Sequence, residues 1–101
     1  QDPRTGTLVT IGLLVIELLP PEARSLKDKR RVLKSLKDRL HNRFNCSVAE
    51  TGQQDAWQRA TLAVCIVGGE AGHVNSQLSH VVTFVETSCP AILADYRIEM
   101  L

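Results

Sequence analysis

Six side chains between residues 27 and 41 have the chemistry and spacing to bind a polyanion. They lie within SLKDKRRVLKSLKDRLHNRF, residues 25–44, at spacings of one, three or four positions, and are Lys27, Arg30, Arg31, Lys34, Lys37 and His41. This spacing places them along one face of a helix. Cationic side chains neutralise phosphates and release counterions, which gives affinity without reading a sequence. The pattern fits RNA or another polyanion, and it fits a solvated helix surface or a site for an acidic protein equally well.

The remaining reactive side chains lack partners at a useful spacing. The three histidines are not spaced to share a metal ion with a cysteine, and Cys46, Cys65 and Cys89 form no C-x-x-C pair. GGEAG, residues 68–72, is typical of a strand-to-helix turn rather than a phosphate loop. We therefore expect no catalytic residue, no metal, no cofactor, and reduced thiols in a cytoplasmic protein.

Two single residues each allow two interpretations. Trp57 would either cover an edge of the core or stack a base, and a lone Trp more often covers the core. Lys29 falls inside the apolar stripe of the same helix. It is expected to run along the core edge or to meet a carboxylate such as Glu22 or Glu50, and a functional lysine is the less common alternative.

The charge of the chain is unevenly distributed. The 101 residues are 44% hydrophobic and carry a formal net charge of +1. Residues 27–43 hold eight cations and two carboxylates, a net +6, whereas the rest holds four cations and nine carboxylates, a net −5. Such asymmetry can steer an anionic partner. The longest apolar run, residues 11–19, contains Glu17 and is shorter than a membrane-spanning helix, so no membrane contact is expected.

Hydrophobic periodicity predicts strand, helix, strand, strand, helix and strand. The strands are expected at residues 7–18, 46–51, 56–67 and 91–101, and the helices from Ser25 to about Asn45 and from about Ala71 to the residue before Pro90. Leu36 is expected at the centre of the first buried stripe. Ile92 and Ala94 are expected on the core side of the last strand.

This element order predicts an α+β, ferredoxin-like β-α-β-β-α-β fold. Because each β-α-β crossover is right-handed, both helices lie on one face of a four-stranded antiparallel sheet. Residues 1–6 are expected to be a disordered or trimmed leader, and residues 7–101 a single domain. The opposite sheet face would expose Leu13, Val15, Ala63 and Cys65, which predicts a homodimer that covers them.

Three segments also resemble a known family. SLKDKRR, NRFNCSVAE and WQRA, in this order and at these spacings, resemble the YlxP-like family of bacterial domains of unknown function. The resemblance extends over residues 7–101. It implies a ferredoxin-like fold and genes that commonly neighbour those of translation initiation and ribosome maturation. It transfers no catalytic residue, because none is established for the family.

These observations favour a non-enzymatic accessory domain that contacts RNA or the ribosome through the cationic helix. A module that dimerises through the open sheet face, with a merely solvated helix, is the main alternative. A small enzyme is a third, although LPPEARS stands where an acylphosphatase has its glycine-rich loop. The central strands also lack the aromatic residues of an RNA-recognition motif.

Overall fold

Six elements form in the predicted order. The computed structural model describes residues 9–20, 23–89 and 91–101, so the predicted leader at residues 1–6 lies outside the described part. The elements are strand β1 (Thr10–Leu19), helix α1 (Leu26–Arg43), strand β2 (Ser47–Gly52), strand β3 (Ala60–Gly68), helix α2 (Ala71–Ser88) and strand β4 (Ile92–Met100).

The four strands form one antiparallel sheet in the order β2-β3-β1-β4. β1 and β3 are the central strands, as their apolar character predicted. Side chains of both helices join one buried cluster with the same face of these strands. Both helices therefore cover one sheet face and leave the other open. This arrangement confirms the ferredoxin-like fold.

The core follows the period-two pattern of the central strands. Gly12, Leu14, Ile16 and Leu18 are buried, and β3 alternates in the same way from Ala60 to Ile66. Leu36 has 0% exposed surface, which confirms the predicted register of α1. Lys29 is the single charged side chain among the buried residues of the described chain.

Gly12 lets α2 approach the sheet closely. A Cβ atom built at this position would lie 2.6 Å from Val74 Cγ1 and 2.7 Å from Leu78 Cδ1. Gly68 faces the same valine, because a Cβ atom there would lie 2.7 Å from Val74 Cγ2. Val74 is therefore seated over two glycine positions of the central strands, where a larger residue would push the helix outward.

The side-chain assignment for β4 is wrong at its first residues. The register shifts between Glu17 and Leu18, so that Glu17 faces Asp95 while Leu18 faces Leu93. Ala94 is the extra residue of this bulge. The side chains before it therefore face the opposite side of the sheet from the one that uninterrupted alternation predicts. Ile92 consequently lies on the open side with 56% of its surface exposed, and Ala94 is exposed as well.

The third strand begins later than predicted. Residues 56–59 form bends and irregular backbone, and β3 starts at Ala60. Trp57 accordingly lies in the β2–β3 loop rather than in a strand. This loop is held in place by Lys29, whose contacts are described below.

Candidate nucleic-acid interface

The first helix is fixed at its start by reciprocal capping. The Ser25 hydroxyl accepts a hydrogen bond from the Asp28 backbone N–H at 3.1 Å, and the Asp28 carboxylate accepts one from the Arg24 N–H at 3.1 Å. This is a variant of the capping box in which the second bond reaches one residue further back. It sets where α1 begins and hence which residues face outward.

The six predicted cationic positions share the outer surface of α1, called here the basic face. Lys27, Arg30, Arg31, Lys34 and His41 are exposed, and Lys37 is half-buried. The structure therefore places all six on one helix face, as expected. Asp38 interrupts it, because its carboxylate accepts a hydrogen bond from Lys34 Nζ at 3.0 Å. Both side chains are well exposed, so this pair adds little stability but lowers the local positive charge.

Two arginines of the same stretch face α2 instead. Arg39 Nη1 donates a hydrogen bond to the Ser88 carbonyl at 2.6 Å, at the last residue of α2. A cation is favourable at this end of a helix dipole. The Arg43 guanidinium carbon lies 5.2 Å from the centre of the Phe84 ring, within cation–π distance. Sequence reasoning did not assign these roles, which depend on where α2 packs.

Lys29 is buried and holds the β2–β3 loop. Its side chain is 1% exposed, and Nζ lies 2.7 Å from Glu50 Oε2. The ammonium also donates hydrogen bonds to the Gln53 carbonyl at 2.7 Å and the Arg59 carbonyl at 3.1 Å. Glu50 was one of the two predicted partners; Glu22 lies outside the described residues. Glu50 Oε2 has no aligned hydrogen bond in the described chain, so charge attraction holds this contact.

Gln53 shows the backbone geometry that this arrangement requires. Its φ angle is 59°, in the left-handed region that non-glycine residues seldom adopt. The carbonyl of the same residue accepts the shorter of the two Lys29 hydrogen bonds. The ammonium thus stabilises a turn conformation that the local sequence disfavours.

Trp57 lies on the loop that Lys29 holds. It is 39% exposed and lines a cavity of about 300 Å³ together with Leu19, Pro20 and Ala23. Its position beside the end of β1 agrees with covering a core edge, while one part of the side chain stays accessible.

The predicted dimer residues lie together on the open sheet face. Leu13 faces Cys65 across the ladder, and Val15 faces Ala63. The next outward-facing pair is Ile11 and Val67, so the apolar surface continues toward one end of the sheet. Charged residues border it on β4 and at the other end of β1. They are Glu17, Asp95, Arg97 and Glu99.

In the described part of the chain, the side chains that could bind a metal ion are not grouped, and the thiols are unpaired. Within residues 9–20, 23–89 and 91–101, no three His, Cys, Asp or Glu side chains are grouped to hold a metal ion. The three cysteines are free and half-buried. Burial raises the pKa of the Cys46 thiol, which favours the protonated, weakly nucleophilic form. Of the two helices described, neither combines the length and the apolarity needed to cross a membrane.

The fold and the surface together define a small ferredoxin-like domain with a cationic helix on one side and an apolar sheet face on the other. Residues 11–98 match a family described as a protein of unknown function, DUF503. The uncharacterized protein YlxP of Bacillus subtilis (strain 168) is 36% identical over 77 residues, which cover 76% of this chain and 84% of the relative. The chain belongs to this family.

One solved structure is similar in outline. The de novo designed protein Ferredog-Diesel matches with a TM-score of 0.49 and 11% identity, over 88% of this chain and 83% of the designed one. The fold assignment depends on the strand order and helix placement given above, not on this likeness.

Proposed function

We propose that this protein is a non-enzymatic accessory domain that binds RNA, free or within the ribosome, through the basic face of α1. The observation that carries the proposal is the predominantly positive charge of that surface. Five lysines and arginines point outward on one helix, and Asp38 is the carboxylate among them. A helix surface that is only solvated usually carries both signs in similar number.

The length of the basic face suits a nucleic-acid backbone. From Lys27 to His41 it extends about 21 Å at about 1.5 Å per residue. This length holds about four helical turns of about 5.4 Å each, so several side chains can contact phosphates of one RNA segment. Such contacts position an RNA without reading its sequence.

The test is binding of a fluorescent RNA hairpin, measured by anisotropy at about 0.15 M salt. Replacing Lys27, Arg30, Lys34 and Lys37 by Glu is expected to abolish binding and leave the fold intact, because these side chains point away from the core. Equal binding by the reversed protein would refute the proposal. Capture of a protein that survives nuclease treatment would instead identify an acidic protein as the partner.

A matched pair of milder variants separates position from total charge. Arg30→Gln with Lys34→Gln removes two cations from the basic face. Arg59→Gln with Arg97→Gln removes two exposed cations elsewhere. Only the first pair is expected to weaken RNA binding; equal weakening by both would point to non-specific attraction.

A second candidate function is homodimerisation through the open sheet face. The observation that favours it is the adjacency of Leu13, Val15, Ala63 and Cys65, continued by Val67, which is 62% exposed. A contiguous apolar surface usually marks an interface. A second copy is the simplest occupant, because two-fold symmetry lets the same apolar patch meet itself and closes the assembly. The two candidates use opposite sides of the domain and are compatible.

A further inference from the structure

A groove opens between the two helices beyond the end of α1. Arg39 meets Ser88 and Arg43 meets Phe84, so the helices run antiparallel along this seam. α2 continues past the last turn of α1, and the space beside it forms a cavity of about 470 Å³, called here the helix groove. Binding sites for small ligands commonly have volumes of about 300–1,000 Å³.

The groove has an aromatic floor with a cation over it. Phe44 and Phe84 pack edge to face, with ring centres 6.0 Å apart. The Arg43 guanidinium lies over the Phe84 ring, and in the described part of the chain it makes neither a hydrogen bond nor an ion pair. A cation–π contact does not use the N–H donors of a guanidinium, and these donors can bind two phosphate oxygens at once.

The wall formed by α2 supplies both acceptors and donors. The Thr83 hydroxyl donates to the Ser79 carbonyl at 3.3 Å, and the Thr87 hydroxyl donates to the Thr83 carbonyl at 2.9 Å. Their oxygens therefore keep lone pairs for a ligand hydroxyl. Gln77 and His80 add an amide and an imidazole, and none of the described residues that line the groove is acidic.

We propose that the helix groove binds a ribonucleotide, either free or as an unpaired nucleotide of an RNA. Arg43 receives the phosphate, the base packs against the part of the Phe84 ring that the guanidinium leaves uncovered, and the Thr83 and Thr87 oxygens accept hydrogen bonds from the ribose hydroxyls. Stacking on an aromatic side chain tolerates any base. Binding of an unpaired RNA nucleotide rests on the proposed function, whereas binding of a free nucleotide does not.

This site is separate from the basic face. Arg43 and Lys34 are nine residues apart on α1, which places them on opposite sides of the helix at about 100° per residue. Arg59 is exposed on the β2–β3 loop, outside both proposed sites, so Arg59→Gln offers a matched control for the loss of one arginine.

The direct test titrates the protein with AMP, dAMP and inorganic phosphate, followed by backbone amide NMR. AMP is expected to shift the amides of Gln77, Thr83 and Thr87 saturably. It is also expected to bind more tightly than dAMP, which lacks the 2′-hydroxyl. Arg43→Gln is expected to weaken AMP binding at least about tenfold through loss of charge-assisted hydrogen bonds, and Arg59→Gln less than about twofold. Equal affinity for AMP and phosphate, or equal effects of the two variants, would overturn the site.

Thr83→Val provides a second test of the site, in case Arg43→Gln disturbs the packing of α1 against α2. The valine preserves shape on an exposed position but removes the acceptor for the ribose. It is expected to reduce the preference for AMP over dAMP while leaving Arg43 in place. An unchanged preference would contradict the assigned ribose contact.

The two proposals fail in different ways. If the RNA hairpin binds through Lys34 and its neighbours while AMP causes no shift, the helix groove is overturned and the basic face stands. If AMP binds in an Arg43-dependent manner while no RNA binds, the groove stands and the RNA-binding function is overturned. An unpaired hexauridylate supports both if it binds the original protein more tightly than Arg43→Gln and more tightly than the variant with Lys27, Arg30, Lys34 and Lys37 replaced by Glu.

Discussion

The Lys29 ammonium lies 2.7 Å from the Glu50 carboxylate and connects the first turn of α1 to the edge strand β2. The same nitrogen donates to the carbonyls of Gln53 and Arg59, at the two ends of the β2–β3 loop. One buried cation thus joins a helix, a strand and a loop. The basic face is thereby set at a fixed distance from the loop that carries Trp57.

Replacing Lys29 by Met is expected to destabilise the fold strongly. The change leaves the Glu50 carboxylate without its cation and two loop carbonyls without a donor. Removing one partner of a buried pair costs about 3–5 kcal/mol, and the remaining 18% exposure of Glu50 lowers our expectation to about 2–4 kcal/mol. Urea unfolding followed by Trp57 fluorescence measures the loss.

The double variant Lys29→Met with Glu50→Leu is the control. It removes both charges, so it is expected to regain part of the stability lost in the single variant. A single variant as stable as the original would mean that the ammonium does not hold the loop.

Leu36→Ala tests the register of α1. The side chain has 0% exposed surface beneath the helix, so its truncation is expected to leave a cavity. The expected cost is about 2–5 kcal/mol of unfolding free energy. Lys34→Ala, two residues away on the exposed side, is the control and is expected to change stability by less than about 0.5 kcal/mol. Equal melting temperatures for the two variants would contradict the register.

Gly12→Ala tests the close approach of α2. The new methyl group would meet Val74 and Leu78 at distances too short for carbon atoms, and both side chains are fully buried. Such overpacking is expected to cost about 1–3 kcal/mol. Combining it with Val74→Ala makes room for the methyl group. The double variant is therefore expected to lose less unfolding free energy than the two single variants lose together. Simple additivity in thermal unfolding would show that the two sites do not touch.

The sequence predicts this fold well where one physical pattern dominates. Alternation on β1 identifies Leu14 and Ile16 as core residues, and the apolar stripe of α1 identifies Leu36. It fails at Ile92, because a single extra residue in β4 reverses which side faces the core. Period-two reasoning assumes an unbroken pleat and does not reveal such a bulge.

The candidate sites also contain some residues that the sequence predicts and others whose roles depend on tertiary packing. The basic face follows from helical spacing alone, so its residues were predictable. The roles of Arg39 and Arg43 depend on the packing of α2, whose side chains are more than 40 residues away along the chain. Lys29 is an intermediate case. Its position in the apolar stripe of α1 predicted that it lies at the core, and the charge of Glu50 made that residue a predicted partner. The hydrogen bonds to the two loop carbonyls were not predictable from the sequence.

Asp38→Asn is expected to strengthen RNA binding. The carboxylate accepts a hydrogen bond from Lys34 at 3.0 Å and would repel phosphates near the basic face. Removing one exposed charge of this kind is worth up to about 1 kcal/mol, so affinity is expected to rise about two- to fivefold at low salt. Asp55→Asn makes the same charge change on the exposed β2–β3 loop and is expected to have a smaller effect. Weaker binding by Asp38→Asn would argue against phosphate contacts at Lys34.

Replacing Leu13 by Glu and Val15 by Lys is expected to convert a dimer into monomers. The two changes place charges at the centre of the open sheet face, next to Cys65 and Ala63, without altering the net charge. Burying them against a second copy would be costly, whereas a free sheet face tolerates them in water. Light scattering at micromolar concentration is expected to give twice the 11.2 kDa of one chain for the original protein and a single chain for the variant. Ser76→Glu with Ser79→Lys, on the exposed side of α2, is expected to stay dimeric, and a monomeric mass for the original protein would end this proposal.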